Sequence, residues 1–176
     1  SFYWITDNSS NKIAGFYFDL YAREHKQGGA WMADLTSKFK INENEQIPLA
    51  FLTCNFSARK LNNRSILTFN EVITLFHEFG HGLQHMLTKI DNINVAGING
   101  VPWDAVEIPS QFLENFCWQN VILENLSKHV ETSKPLSQDL IQKLIQSKNF
   151  NKGLHLVRQI EFALIDMHLH LNLDNI

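Results

Sequence analysis

The 176-residue sequence has little of several features that would assign it to a specialised class of protein. Its only cysteines are Cys54 and Cys117, and neither belongs to a C-x-x-C pair. Two such residues make no disulfide framework, so we expect buried thiols and a reducing cytoplasm. No run of about 18 apolar residues is present that could span a bilayer. The formal net charge of −3 comes from scattered residues and predicts no binding of nucleic acid or an anionic membrane.

We expect the N-terminal third, about residues 1–60, to form a small β-sheet. Lys12 to Tyr21 alternates and is rich in aromatic residues, and Ile47 to Phe56 is a short apolar run; both patterns are typical of strands. Gln27 to Ala30 and Asn42 to Gln46 supply turns between them. An edge strand of such a sheet can hold an extended peptide by β-augmentation, with the glycine-containing turn as a candidate region. A plain turn that needs glycine is the alternative.

The remainder, about residues 68–176, is predicted to be helical. Thr68-Phe69-Asn70-Glu71 is a T-x-x-E capping box that begins a helix of about 69–89. Another helix begins with Ser137 as its N-cap, and a further one runs from about Lys152 to Leu171. Three histidines on this last helix have no ligand-like partners, and we interpret them as structural or surface residues: His155, His168 and His170. The chain is therefore predicted to be mainly α with a small β-sheet near its N-terminus.

His77-Glu78-Phe79-Gly80-His81 is the motif that indicates chemistry. Residues four apart on a helix lie one above the other, so both imidazoles can reach one metal ion. Glu78 between them can act as the general base toward a water at that ion. The alternative is a buried helix whose histidines satisfy only local hydrogen bonds. That arrangement is costly, because two imidazoles and a carboxylate would be buried without a metal or a partner.

A catalytic zinc ion held by two histidines needs a third protein ligand. His85 is unsuited, because it lies about 12 Å from His77 along a straight helix. The extended pattern H-E-x-x-H-x-x-G-x-x-H also fails, since Gln84 and Leu87 occupy its glycine and third histidine positions. We expect His85 to be either a neighbour of the site or a packed core residue. Glu107 is the leading candidate for the third ligand.

Glu107 lies in a second segment that can open a helix, with Asp104 as N-cap and Glu107 at the third helical position. Pro109 is compatible with this, because the first-turn N–H groups of a helix lack intrahelical partners. The turn-rich stretch Gly97 to Pro102 would let this helix fold back beside the first. Asp104 and Glu114 are then candidates for carboxylates that orient the ligand imidazoles. An ordinary cap and an ordinary surface charge are the alternatives for these two residues.

Several motifs taken together resemble one known family. Besides the His-Glu-Phe-Gly-His motif they are Asp19 to Glu24, Gly29 to Met32, Leu52 to Phe56, Phe69 to Leu87 and Gly100 to Phe116, the last of which contains Val-Glu-Ile-Pro-Ser-Gln. This set is similar to the thimet oligopeptidase family of zinc metallopeptidases, most closely to its bacterial oligopeptidases, over nearly the whole chain. Two specific motifs in the family's order make the resemblance strong.

The resemblance implies a zincin-type catalytic core with the motif helix and a second ligand-bearing helix. It implies one Zn²⁺ per chain held by His77, His81 and Glu107, with Glu78 activating water; Co²⁺ and Mn²⁺ also suit such a donor set. It implies short peptides as substrates. The residues around Glu107 favour cleavage of internal peptide bonds over dipeptidyl-carboxy cleavage.

The chain departs from that family in two respects. Gln84 stands where many members carry a histidine, outside the ligand set. Members are also several times longer and carry a downstream tyrosine- and glycine-rich segment that stabilises the oxyanion, whereas the tyrosines here are Tyr3, Tyr17 and Tyr21. We therefore interpret residues 1–176 as a single partial catalytic domain truncated at both ends, with weak or no activity alone. Two alternatives are a catalytically incompetent zinc-binding fragment and a zincin that acts on a non-peptide amide.

Overall fold

The computed structural model describes residues 1–57, 60–61 and 64–171 of the chain. Strands occupy its first part: β1 (Phe2–Thr6), β2 (Lys12–Tyr21), β3 (Trp31–Thr36), β4 (Phe39–Ile41), β5 (Asn44–Gln46), β6 (Leu49–Phe56), β7 (Lys60–Leu61) and β8 (Arg64–Ser65). Helices follow: α1 (Phe69–Met86), α2 (Ile108–Glu114), a short 3-10 helix (Asn115–Trp118), α3 (Asn120–Leu126), α4 (Gln138–Ser147) and α5 (Lys152–Leu171). The predicted small sheet near the N-terminus and the helices after it are confirmed. The end of the predicted helical region, 172–176, lies outside the described residues.

Four strands form one mixed sheet in the order β1-β2-β6-β3. The central pair, β2 and β6, is parallel, and each flanking strand is antiparallel to its neighbour. β3 is therefore an edge of this sheet, a position that the sequence did not reveal. The predicted strand Lys12–Tyr21 is found with those bounds, whereas the second predicted strand begins at Leu49. It starts there because Pro48 has no N–H to donate to a ladder.

One face of the sheet packs on α1. Alternate residues of the central strands point to this face, so Phe16 and Leu52 meet Met86 in a buried cluster. The ring of Phe79 stands edge-on to that of Phe16, with centroids 5.5 Å apart. A Cβ on Gly82 would come within 3.0 Å of the Leu52 side chain, so this side of α1 lies directly on the strand. The packing places the helix with the His-Glu-Phe-Gly-His motif against the sheet.

The beginning of α1 is the predicted capping box. The Thr68 hydroxyl accepts from Glu71 N–H at 3.2 Å, and the Glu71 carboxylate accepts from Thr68 N–H at 2.6 Å. The helix ends at Met86, earlier than the predicted 89. Beyond it the Thr88 hydroxyl accepts the N–H of Ile90, a local bond that competes with continuing the helix.

Two expectations about turns and helices were wrong in detail. The predicted turn from Asn42 to Gln46 is a hairpin in which β4 pairs with β5, and only Asn42 and Glu43 join the strands. The second helix begins at Ile108 rather than after Asp104, and Glu107 is its N-cap. Pro109 has no N–H to offer the carbonyl of residue 105, so an earlier start would lack a helical hydrogen bond.

The C-terminal helices agree with the sequence prediction. Ser137 caps α4, its hydroxyl accepting from Leu140 N–H, and α5 covers Lys152–Leu171. Along α5 every described side chain is exposed. None of the described helices combines the length and the apolar character needed to cross a bilayer.

Candidate metal centre

Two imidazoles and one carboxylate converge where α1 meets α2. The Oε2 atom of Glu107 lies 3.2 Å from Nε2 of His77 and 3.2 Å from Nε2 of His81. All three potential ligand atoms lie within 4.8 Å of one another. Atoms bound to one tetrahedral zinc ion at about 2.0–2.1 Å are roughly 3.3 Å apart. The donor set and its spacing therefore fit a single zinc ion, and His77, His81 and Glu107 are the residues that would hold it.

A close helix crossing brings the third member of this set to the other two. A Cβ on Gly80 would stand 2.6 Å from Cα of Ser110 and 2.7 Å from the carbonyl oxygen of Pro109. Real side chains never make such contacts with backbone atoms, so only glycine allows α2 to approach α1 here. Because Gly80 lies between the two histidines in the motif, the approach places the start of α2, and Glu107 with it, beside both rings.

Ser110 holds the carboxylate of Glu107. Its side chain is fully buried, and its hydroxyl lies 2.8 Å from Oε2 and 2.9 Å from the carbonyl oxygen of Glu107. This hydrogen bond is the main cause that lowers the pKa of Glu107, and the imidazoles of His81 and His77 add to the effect. The carboxylate is thus in its charged, metal-binding form at neutral pH.

Of the two carboxylates considered as orienting groups, only Glu114 is at the site. Its Oε1 lies 2.6 Å from Nδ1 of His77, the ring nitrogen that faces away from Glu107. A proton on Nδ1 leaves the Nε2 lone pair free for a metal. Asp104 is exposed and has no hydrogen bond or ion pair with the described residues. It is also not the N-cap of α2.

His81 has no comparable partner for its outer nitrogen. Its Nδ1 is buried and makes no hydrogen bond within the described part of the chain. Burial lowers the pKa of this imidazole, which favours the neutral form that binds metals.

Glu78 lies on the buried side of α1, toward the sheet, and is 5% exposed. Burial raises the pKa of its carboxyl, and the negative charge of Glu107 raises it further. The imidazole of His77 and a hydrogen bond from the backbone N–H of Met32 oppose the rise. Met32 belongs to β3, so this carboxylate connects the motif helix with the edge strand. The thiol of Cys54 is also nearby, and its pKa is raised to about 12, chiefly by burial.

His85 is a packed core residue. It is fully buried, and its Nε2 lies 3.0 Å from the carbonyl oxygen of Thr36. The loop after α1 closes over it at Gly97, where a Cβ would come within 2.4 Å of Nδ1. His85 therefore ties the end of β3 to α1 and is not part of the metal centre.

Sequence reasoning missed three residues of this centre. Gly80 could have been identified from the sequence, because a glycine inside a helix commonly has a packing reason. The sequence indicates Ser110 less strongly, since a serine three residues after a carbonyl often bonds back to it. No sequence pattern indicates Met32, because its contact with Glu78 joins a strand to a distant helix.

Comparison with known proteins gives the family of this chain. The chain belongs to peptidase family M3, whose family model matches residues 1–175. Oligopeptidase A of Haemophilus influenzae is 51% identical over 98% of the chain, and oligopeptidase A of Escherichia coli is 49% identical over 96%. A protein of Arabidopsis thaliana named probable cytosolic oligopeptidase A is 42% identical over 96%. The resemblance expected from the motifs is confirmed.

The matched region is a limited part of each of these relatives. It covers 26%, 25% and 25% of the three proteins, so the chain spans about a quarter of the length of the curated relatives it matches.

Proposed function

We propose that this protein is a zinc-dependent metallo-oligopeptidase that hydrolyses internal bonds of short peptides. The observation that carries the proposal is the position of Glu107 Oε2, 3.2 Å from the Nε2 atoms of both His77 and His81. Glu78, on the adjacent position of the same helix, supplies the general base. Membership of peptidase family M3 supports the class of reaction.

A zinc ion at this centre would supply Lewis-acid activation of a water molecule and of the scissile carbonyl. Glu78 would take a proton from the attacking water molecule as the water oxygen adds to the carbonyl carbon. The same carboxyl then gives the proton to the leaving amine as the C–N bond breaks, so the carboxylate is regenerated. Burial raises the pKa of Glu78, which suits a group that must both accept and return a proton near neutral pH.

We propose that β3 holds the backbone of the peptide. As an edge strand of the four-stranded sheet it can pair with an extended chain by β-augmentation. The glycine turn before it is held by Asn55, whose side-chain amide donates to the carbonyls of Gln27 and Gly29 at 2.7 Å each. Backbone pairing would bind peptides without selecting strongly for sequence. A cytoplasmic location is part of the proposal and is supported by the two free, buried thiols.

A catalytically incompetent zinc-binding chain is the second candidate function. A developing oxyanion needs a donor beside the metal, and removal of one such donor costs about 10²–10³ in turnover. This second candidate would bind zinc through the same three ligands as the peptidase and would differ from it only in having no turnover of peptides.

Cleavage of an internally quenched peptide by the zinc-loaded protein, beside its Glu78→Gln variant, tests the proposal. We expect the variant to bind zinc and to lose at least about 10²-fold in activity, because it cannot move the proton. Activity that disappears with both the mutation and a chelator supports the peptidase. Stoichiometric zinc binding without cleavage by either protein supports the second candidate, and absence of zinc binding rejects both.

A further inference from the structure

The carboxylate of Glu107 lies at a position where packing alone would not hold it. Its side chain is 48% exposed, and it makes no capping hydrogen bond to its own helix. An exposed glutamate side chain loses about 1.5–2 kcal/mol of rotamer freedom when it is restricted to one conformation. Even so, Oε2 lies at equal distances of 3.2 Å from two imidazole nitrogens. The imidazole of His81 hydrogen-bonds this carboxylate, and a further neighbour outside the metal-binding set also restricts the side chain.

Ser110 is the neutral neighbour that does so. It is fully buried, and its hydroxyl hydrogen is shared between Oε2 and the carbonyl oxygen of Glu107, at 2.8 and 2.9 Å. The hydroxyl thus fixes the outer atom of the side chain relative to its own backbone. One hydroxyl thus donates both to the side-chain carboxylate and to the backbone carbonyl of Glu107.

Ser110 is itself fixed to the helix that carries the histidines. Its Cα is the nearest atom that a Cβ on Gly80 would meet, at 2.6 Å, and its backbone nitrogen follows at 2.9 Å. Gly80 belongs to the same turn of α1 as His77 and His81. A rigid connection therefore leads from the two imidazoles, through Gly80 and Ser110, to the carboxylate.

We propose that Ser110 is a positioning residue that presets the Glu107 carboxylate for the metal before any metal binds. The inference rests on the proposed function, because it requires that Glu107 be a zinc ligand. A preset ligand loses less side-chain entropy when the metal binds, so the Ser110 hydroxyl should increase the zinc affinity of the protein. The competing explanation is that the hydroxyl only stabilises the start of α2 through the backbone carbonyl.

The test is the zinc dissociation constant of the protein, measured by competition with a chromogenic chelator. We expect Ser110→Ala to weaken zinc binding by about 10- to 100-fold, the usual effect of losing a partner of a metal ligand. Ser137→Ala is the matched control, because it removes a hydroxyl that caps α4 and should leave zinc affinity unchanged. In the Co²⁺-loaded protein, Ser110→Ala should also alter the visible absorption spectrum, which reports ligand geometry.

A double-mutant cycle separates the two explanations. If Ser110 acts through the carboxylate, Ser110→Ala should cause no further loss of zinc affinity in a Glu107→Ala background, which has no side-chain oxygen for the hydroxyl to hold. An equal loss in both backgrounds would overturn the inference and assign the effect to the fold of α2. Unchanged zinc affinity in Ser110→Ala alone would also overturn it while leaving the proposed function intact. An unmodified protein that binds no zinc would reject both.

A second pair of variants covers the case in which Ser110→Ala does not fold. Ser110→Thr and Ser110→Val have the same branched shape and differ only in the hydroxyl. We expect the threonine variant to bind zinc more tightly than the valine variant by a factor similar to that for Ser110→Ala. Equal affinities would contradict the positioning role.

Discussion

Nδ1 of His77 lies 2.6 Å from Oε1 of Glu114, while Nε2 of the same ring faces Oε2 of Glu107 at 3.2 Å. One imidazole is thus held between two carboxylates of the second segment, one on each side. Glu114 fixes which nitrogen carries the proton, and the other nitrogen is left to bind a metal. The fold sets this arrangement, because the two glutamates lie at opposite ends of α2.

We expect Glu114→Gln to weaken zinc binding by about 10- to 100-fold, because an amide holds the tautomer and orientation of His77 less firmly than a carboxylate does. Chelator competition measures the affinity. Asp104→Asn is the matched control, since Asp104 is an exposed carboxylate of the same segment and has no partner among the described residues. Equal zinc affinities of the Glu114→Gln variant and the unmodified protein would show that Glu114 is only a surface charge.

Gly80→Ala should destabilise the protein and weaken zinc binding, because the added Cβ would stand 2.6 Å from backbone of α2. Helix propensity alone predicts the opposite, a gain of about 1 kcal/mol. Thermal unfolding with and without zinc measures both effects. Gly153→Ala is the control: it lies near the start of α5 with no atom within 4 Å, so it should be neutral or slightly stabilising. A stable, zinc-binding Gly80→Ala variant would mean that α2 does not need the close approach.

The stability of the metal-free protein should fall with rising pH through the titration of Glu78. Burial raises the pKa of Glu78 above the ordinary 4.5, so the folded state binds this proton more tightly than the unfolded state does. The contribution of Glu78 to the free energy of unfolding is fully present below its ordinary pKa. It is lost as the pH rises through the raised pKa of the folded state. Glu78→Gln removes this dependence.

Denaturant unfolding of the two metal-free proteins across pH measures the effect. The free energy of unfolding of the Glu78→Gln variant should exceed that of the unmodified protein most at neutral pH. This difference should vanish below about pH 4, where both side chains are neutral. Contributions from other groups, such as the opposite one from Glu107, largely cancel in the difference. A difference that grows toward acid pH would contradict the raised pKa.

Lys26→Met should destabilise the protein by roughly 1–3 kcal/mol, because it leaves three backbone carbonyls without a donor and removes the ion pair with Asp19. Nζ of Lys26 donates to the carbonyls of Asp19, Tyr21 and Cys54 at 2.9, 3.0 and 2.6 Å, and the side chain is 4% exposed. It joins the ends of β2 and β6 to the loop that leads to β3.

Lys40→Met is the matched control for this lysine. Lys40 forms an ion pair with Glu45 in which both side chains are about half exposed, and such pairs contribute about 0–1 kcal/mol. Denaturant unfolding compares the two variants. Similar small decreases in the free energy of unfolding for both variants would show that water replaces Lys26 as the donor to these carbonyls.

Local features of the fold were predictable because their causes are local. The capping box of Thr68 and Glu71 began α1 as expected, and the alternation of Lys12–Tyr21 matched β2. The start of α2 was misjudged, because the missing N–H of Pro109 outweighed the favourable N-cap chemistry of Asp104. β3 was not predicted as a strand, and its place at the edge of the sheet depends on pairing with β6, which is distant in sequence.

The sequence by itself determined that His77 and His81 share one face of a helix, because a four-residue spacing has a fixed geometry on any α-helix. It also narrowed the third metal-binding candidate to Glu107, although it gave that residue the wrong position in its helix. Only the tertiary structure decided where the carboxylate lies, which partner orients His77, and that Glu78 meets the edge strand through Met32. These relationships join segments about 30 residues or more apart. They depend on how closely the backbones pack at Gly80 and Ser110, and no local pattern encodes that distance.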